Sequence, residues 1–268
     1  MAEKLKQYLN KNHNKLEIIY GKEIKDIRKT GFYSISHIEL NREIENALSE
    51  GILKGNESVI ELGSGLGLSS LVWAANGFNI NGMEIDQELY SQSQIMLADL
   101  SHQKVLNGEA IKLVQGSYFP IEYIEFRKKH ATKTLTLEND FSYTRLARNN
   151  EVFFPIQNNP ELYNDKFGKN YSDFDITYAY IWDLQTPSTL EMFALLSKKE
   201  AILAGKFAIE TKDLKNMIKY FGLEIINETK FRHPDSEFYF IRKKENSYKE
   251  QFKKKETLTS KIKSLIFQ

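Results

Sequence analysis

The sequence predicts an α/β fold: a mostly parallel sheet of seven strands, helices on both of its faces, and an antiparallel pair closing one edge. Three observations carry this expectation. From residue 58 onward, short apolar runs alternate with longer segments of helical spacing, the pattern of strand–helix–strand units with right-handed crossovers. The first of these runs, Val59-Ile60-Glu61-Leu62, is apolar but for one charge, as a buried parallel strand is. No helical segment fits between the last two runs, 223–229 and 238–242, so those strands pair antiparallel.

Taken in order, residues 1–30 are rich in Lys, Asn and Ile and read as one or two helices, with Leu5 and Leu9 on one face. Residues 36–53 read as a further helix. Ser36 is its expected N-cap, Glu39 follows three later as in a capping box, and Ile38, Ile44, Leu48 and Ile52 form a rough apolar stripe. Strands are expected at 58–62, 78–84, 110–118, 175–182 and 201–208, ahead of the closing pair. Helices are expected at 66–75, stopped by Asn76-Gly77, at 87–100, at 187–196, and at 212–221, closed by Gly222.

Two segments break the rhythm. Residues 119–172 have no clean period and are rich in aromatics, among them Phe119, Tyr123, Tyr163, Phe167 and Tyr171. A connection this long is uncommon in a compact domain, and it reads equally well as a cap over a site or as a subdomain with its own core. The tail from Arg242 carries nine Lys/Arg against three Glu, with Tyr248, Phe252, Leu258, Ile262 and Leu265 recurring along it. Such a basic amphipathic stretch can lie on RNA or an anionic membrane, but docking on the parent domain is the favoured reading. The expected organisation is therefore an N-terminal helical segment over 1–54, a main domain over 55–243 and a basic tail over 244–268.

Composition narrows the function. With 37 Lys+Arg against 36 Asp+Glu in 268 residues, the net charge of +1 argues against a dedicated DNA binder. Cysteine is absent, which excludes disulfides, thiolate metal sites and Cys nucleophiles and fits a reducing compartment. No secretory leader is apparent and no apolar run is long enough to span a bilayer, so a soluble cytoplasmic protein is expected. The five histidines are scattered; His130, in the aromatic insertion, is the one candidate base, although a packed or surface role is the plainer reading.

The sharpest signal is Glu61-Leu62-Gly63-Ser64-Gly65-Leu66-Gly67 at a strand-to-helix turn. Glycines there let the backbone bend and a ligand approach closely. A P-loop would need a Lys and a Ser/Thr after the last Gly, but Leu68-Ser69 follows. A dinucleotide fingerprint would place the third Gly one residue later. Glu61, two residues before Gly63, is poorly placed for a pyrophosphate and well placed for a ligand with an ammonium group. The stretch resembles motif I of the class I S-adenosylmethionine-dependent methyltransferases. The resemblance extends to Gly82-Met83-Glu84-Ile85-Asp86, where Glu84 falls 21 residues after Gly63, the spacing of a carboxylate that grips ribose hydroxyls. It covers about residues 55–243, closing strand pair included.

What the resemblance implies is a Rossmann-like fold, S-adenosyl-L-methionine as cofactor, and methyl transfer to a small molecule or a protein side chain. It implies a cofactor site of Glu61, Gly63, Ser64, Gly65, Gly67, Glu84 and Ile85. Ser117, in Gln115-Gly116-Ser117-Tyr118, stands where the family usually carries an Asp against the adenine amino group, and a hydroxyl accepts more weakly. Gly31-Phe32-Tyr33-Ser34-Ile35-Ser36 corresponds to a segment that folds over the cofactor in many small members, which makes Tyr33 and Ser36 candidates for that role. The acceptor belongs at the end of the fourth strand, where alternation puts Tyr178, Tyr180 and Trp182 on one face and Asp183 follows. Tyr180 or Trp182 would offer a π-face and Asp183 a base or an amine partner; sheet packing and a loop start are the plainer readings. Trp182-Asp183-Leu184-Gln185 lacks the Asn/Asp-Pro-Pro-Tyr/Phe of amino-methylating members that act on nucleic acids. Ile209-Glu210-Thr211 leaves the catechol-type metal set incomplete, so no metal is expected. Two alternatives remain: a non-catalytic S-adenosylmethionine-binding module acting through partners, and an RNA methyltransferase using the basic tail.

Overall fold

In the computed structural model, which describes residues 2–21, 36–106, 109–117, 119–130, 163–182, 185–230 and 237–243, seven strands form one sheet. They are β1 (Ser58–Leu62), β2 (Asn79–Glu84), β3 (Ile111–Gln115), β4 (Ile176–Trp182), β5 (Ile202–Ala208), β6 (Leu223–Lys230) and β7 (Glu237–Lys243). Their order is β3-β2-β1-β4-β5-β7-β6, with β1 to β5 parallel and β7 antiparallel to both β5 and β6. The expected sheet, with its antiparallel closing pair, is the one observed. From β1 the chain winds outward to β2 and β3, then returns to β4 on the other side of β1. That reversal opens a crevice at the C-terminal ends of β1 and β4, where open α/β sheets bind ligands.

Strand alternation divides the interior into two cores. Val59, Ile80, Tyr178 and Phe238 point to one face, with Leu5, Leu9 and Leu16 of α1 (Ala2–Gly21), Leu40 and Ile44 of α2 (His37–Ser49), Leu71 and Trp73 of α3 (Leu68–Ala75) and Met96 of α4 (Gln87–His102). Trp73 sits fully buried at its centre, edge-on to Phe78 at 5.0 Å and to Tyr178 at 5.5 Å. Ile60, Leu62, Ile181 and Tyr239 point to the other face, against α5 (Ile121–His130), α6 (Tyr163–Phe167), α7 (Thr186–Leu196) and α8 (Thr211–Tyr220). The N-terminal helices are thus part of the main core, and Tyr20 Oη donates to Asp99 Oδ2 of α4 at 2.8 Å.

Three local features differ from expectation, each for a visible reason. The helix expected from residue 66 begins at Leu68, because Gly63, Gly65 and Gly67 take φ of +73°, +54° and +78°, and that left-handed backbone keeps Leu66 in the loop. The strand expected to run to 118 stops at Gln115, since Gly116 N–H donates to Glu84 O and the Ser117 hydroxyl accepts from Phe119 N–H at 3.0 Å, turning the chain. The described ends of the aromatic segment have no core of their own: Phe119, Tyr123, Tyr163, Phe167 and Tyr171 join the second-face core. Ser36 caps α2 as expected, its Oγ accepting Glu39 N–H at 3.5 Å. Tyr33, Asp183, the stretch 131–162, the side chains of His130 and Trp182, and the tail 244–268 lie outside the described residues.

Candidate functional site

The glycine loop leaves β1 and lies against β2. Gly63 N–H and Ser64 N–H both donate to Met83 O at 2.9 Å. Gly82 makes this approach possible, because a Cβ there would sit 2.6 Å from Leu113 Cδ2 and 3.0 Å from Ser64 Cβ. Gly67 is hemmed in likewise, a Cβ meeting Leu113 Cδ1 at 2.8 Å, whereas at Gly63 a Cβ would have nothing within 4 Å. The loop is therefore packed on its β2 side and open at its first glycine. Ser64 is buried, and its hydroxyl has no hydrogen-bond partner.

Glu84, at the end of β2, joins the loop to the neighbouring turn. Its Oε2 accepts Gly65 N–H at 2.7 Å and its Oε1 accepts Asp86 N–H at 2.8 Å. Burial raises its pKa, and the N–H groups of Asp86 and Gly65 pull it back down. The Ile85 N–H also pulls the pKa down, which leaves part of the carboxylate's acceptor capacity open. Ile85 beside it is 55% exposed, an apolar side chain at the rim of the crevice. Asp86 caps α4 by accepting from Glu88 N–H and Leu89 N–H, both at 2.9 Å, which fixes the turn that carries Glu84.

Glu61 lies two residues before the loop on the face of α3 and is 2% exposed. Ser70 Oγ donates to its Oε2. Burial pushes its carboxyl up to about 8, against the pull of the Ser70 and Ser69 hydroxyls and with a further push from Glu84. Glu61 is therefore largely neutral at pH 7. Across the sheet it registers with Tyr178, which is fully buried against Trp73 and stacked on Phe238 at 6.4 Å. Of the aromatics expected at the end of β4, Tyr178 packs the core and Tyr180 is half-buried. Tyr180 registers with Lys206 of β5, whose Nζ lies 5.7 Å from the centre of its ring.

The structure thus brings Glu61, Gly63, Ser64, Gly65, Gly67, Glu84 and Ile85 to one end of β1 and β2. Ser117 follows β3, 3% exposed, with one lone pair already given to Phe119 N–H. Sequence reasoning missed Ser70, Gly82 and Lys206. Ser70 is legible in hindsight as one of two serines, with Ser69, in the otherwise apolar run Leu68–Ala75; the roles of Gly82 and Lys206 depend on neighbours from other strands. Among the described residues no cluster of three or more His, Asp or Glu could hold a metal ion, and no helix is long and apolar enough to cross a membrane.

No family model matches the chain, and no curated protein matches it. Several solved structures do. A Synechocystis magnesium protoporphyrin IX methyltransferase with bound S-adenosylmethionine is 12% identical over 82% of this chain and 83% of its own, with a TM-score of 0.48. A Salinibacter ruber RNA methyltransferase in complex with S-adenosyl-L-homocysteine is 11% identical over 80% of this chain and 95% of its own, with a TM-score of 0.46. A TehB-like methyltransferase from Corynebacterium glutamicum is 10% identical over 85% of this chain and 98% of its own, with a TM-score of 0.44. Each is a similarity at low identity, and what those proteins bind and methylate is said of them alone.

Proposed function

We propose that this chain is an S-adenosylmethionine-dependent methyltransferase acting on a small molecule or a protein side chain. The observation that carries the reading is the bond from Gly65 N–H to Glu84 Oε2 at 2.7 Å, which makes the glycine loop and the acidic strand end one floor. That floor lies at the point where the strand order reverses. The residues fit the cofactor by charge and by shape. The loop holds no Lys, two buried carboxyls flank it, and the open side of Gly63 leaves room for close approach. Such a site suits a cationic nucleoside better than a phosphate.

The cofactor supplies a methyl group already activated on a sulfonium, so the protein's task is mainly alignment. In this reading the acceptor capacity left on Glu84 takes a ribose hydroxyl, and Ile85 covers one face of the adenine. The Ser117 hydroxyl, with a proton and one lone pair left, meets the adenine edge. Gly63, Ser64, Gly65 and Gly67 line the methionine portion, and Glu61 ionises to hold its ammonium. Tyr33 closes over the cofactor from the segment before α2, and Tyr180, Trp182 and Asp183 face the acceptor. A base is needed only if the acceptor atom begins protonated, and Asp183 is the candidate.

Calorimetric titration with S-adenosyl-L-homocysteine tests the pocket, and transfer of labelled methyl to protein and metabolite fractions tests the enzyme. Gly65→Val should abolish binding while a cooperative unfolding transition remains. The left-handed φ of +54° at Gly65 adds about 1–2 kcal/mol of strain for a side chain there. Normal binding by this variant would remove the loop from the cofactor site, and binding without methyl transfer to any fraction would leave a binding module.

A further inference from the structure

We propose that the basic tail docks its apolar residues Leu258, Ile262 and Leu265 in a groove at the N-terminal edge of the sheet, on the edge away from the crevice. Neither the groove nor the tail belongs to the cofactor site.

The groove has a volume of about 180 Å³. Its walls include Leu5 of α1, Ala74 of α3, Phe78 and Asn79 where β2 begins, Val105 after α4 and Ala110 before β3. Of these side chains only that of Asn79 is polar. The backbone around it is already engaged: Gly77 N–H donates to Ala74 O at 3.0 Å, Phe78 N–H to Trp73 O at 3.3 Å, Val105 N–H to Leu100 O at 2.9 Å and Ile80 N–H to Ala110 O at 2.9 Å. The groove therefore has little to give a polar ligand and suits an apolar side chain, which gains by leaving water.

The tail starts from the same edge. Arg242 pairs with Ile202, Lys243 pairs with Leu223, and Lys243 N–H donates to Ala201 O, so the chain leaves β7 beside the start of β5. In the sheet order, four strand spacings separate β7 from β2, roughly 19 Å. Leu258, Ile262 and Leu265 follow Lys243 by 15, 19 and 22 residues. They cover that span even at the ~1.5 Å per residue of a helix, in which they share one face. Charge agrees. From Arg242 onward the chain carries nine Lys/Arg against three Glu, while the whole chain nets +1, so the remainder is negative and attracts the tail. Lys4 Nζ donates to Lys104 O at 2.7 Å, which brings both lysines to the rim beside Leu5 and Val105. Glu3 and Glu109 flank the lining residues Ala2 and Ala110 and offset those two charges. Tethering favours the tail over a second copy of the chain, because a linked segment acts at an effective concentration of about a millimolar.

The test is amine-to-amine cross-linking of the full chain with a suberate-length reagent, read by mass spectrometry on mixed isotope-labelled and unlabelled protein. Lys261 or Lys263 should link to Lys4 or Lys104 within one chain. Replacing the three tail residues together, Leu258→Asp, Ile262→Asp and Leu265→Asp, should cut that yield at least about tenfold, since each loses the burial of an aliphatic side chain. Ala110→Trp, which fills the groove from its wall, should do the same while a cooperative melting transition remains. Tail lysines that link only to other parts of the chain, or to none, would overturn the proposal. So would an undiminished yield in the triple variant. Links mainly between labelled and unlabelled chains would make a second copy the occupant, and protection of the tail lysines only by anionic vesicles or only by RNA would give the tail to that surface; each of these also overturns it.

Discussion

Replacing Glu61 with Gln should remove a pH dependence of stability that the buried carboxyl imposes. In the folded chain Glu61 is pushed from the ordinary carboxylate range up to about 8, because burial disfavours its charge more than the Ser70 and Ser69 hydroxyls favour it. The folded state thus holds a proton that the unfolded chain releases near pH 4.5, and stability falls as pH rises from there to about 8. His13 acts in the opposite sense. It is buried and stacked on His37 at 4.1 Å, and burial and that neighbour lower its pKa to about 4. Stability lost through His13 as pH falls from 6.5 towards 4 opposes the Glu61 effect there.

The window from pH 6.5 to 8 lies above the His13 titration and spans most of the Glu61 one. One proton per molecule changes stability by about 1.4 kcal/mol per pH unit, so the drop across the window is about 2 kcal/mol. For a chain of this size that is roughly a 4–8 °C fall in Tm. Glu61→Gln keeps an acceptor for Ser70 without an ionisable proton, so its Tm should be nearly flat over the same window. Differential scanning fluorimetry of both proteins from pH 6.5 to 8 makes the comparison, and the difference in slope cancels every other titrating group. Equal slopes would mean that Glu61 is already ionised in the folded chain. In wild type, saturating S-adenosyl-L-homocysteine should also flatten the curve, because its ammonium stabilises the ionised carboxylate.

Two further outcomes follow from the same geometry. Glu84→Ala should weaken S-adenosyl-L-homocysteine binding by roughly tenfold to over a hundredfold, the loss of about 1.5–3 kcal/mol from charge-assisted bonds to ribose; unchanged affinity in calorimetry, with the fold intact, would refute the assignment. Deleting 131–162 with a short linker should preserve the melting transition and cofactor affinity but abolish methyl transfer, because the flanks at 119–130 and 163–173 keep Phe119, Tyr123, Tyr163 and Phe167 in the core. Retained transfer would show that the segment does not cap the acceptor.

The strands were legible because each central one is a short apolar run, and Val59 and Ile60 enter opposite cores as alternation requires. The loop was legible because only glycine takes φ near +54° to +78° three times in five residues without strain. What sequence could not supply was adjacency. The spacing of Leu5 and Leu9 gives α1 an apolar face but does not say that the face joins the core of α3. The aromatics after residue 118 suggested a separate unit with the same weight as a cap, since burying them in the main core depends on α7 lying alongside. Lys206 reads in sequence as a strand lysine of no special kind, and Tyr180 beneath it emerges only from the β4–β5 register.

Two carboxyls frame the crevice, and the chain supports them with different donors. Glu84 is held by the backbone N–H groups of Gly65 and Asp86, which can only donate and so stabilise a carboxylate. Glu61 is held by serine hydroxyls, which can also accept and so tolerate a carboxylic acid. Although burial raises the pKa of both, Glu84 is thus kept as an acceptor for hydroxyl groups, whereas Glu61 can wait neutral until a cation arrives. A ligand with hydroxyls at one end and an ammonium at the other would turn the burial penalty of Glu61 into an ion pair and release a proton. A pyrophosphate brought to the same loop would drive Glu61 still further towards its neutral form. The two sets of donors thus suit the ligand proposed above, with hydroxyls at Glu84 and an ammonium at Glu61.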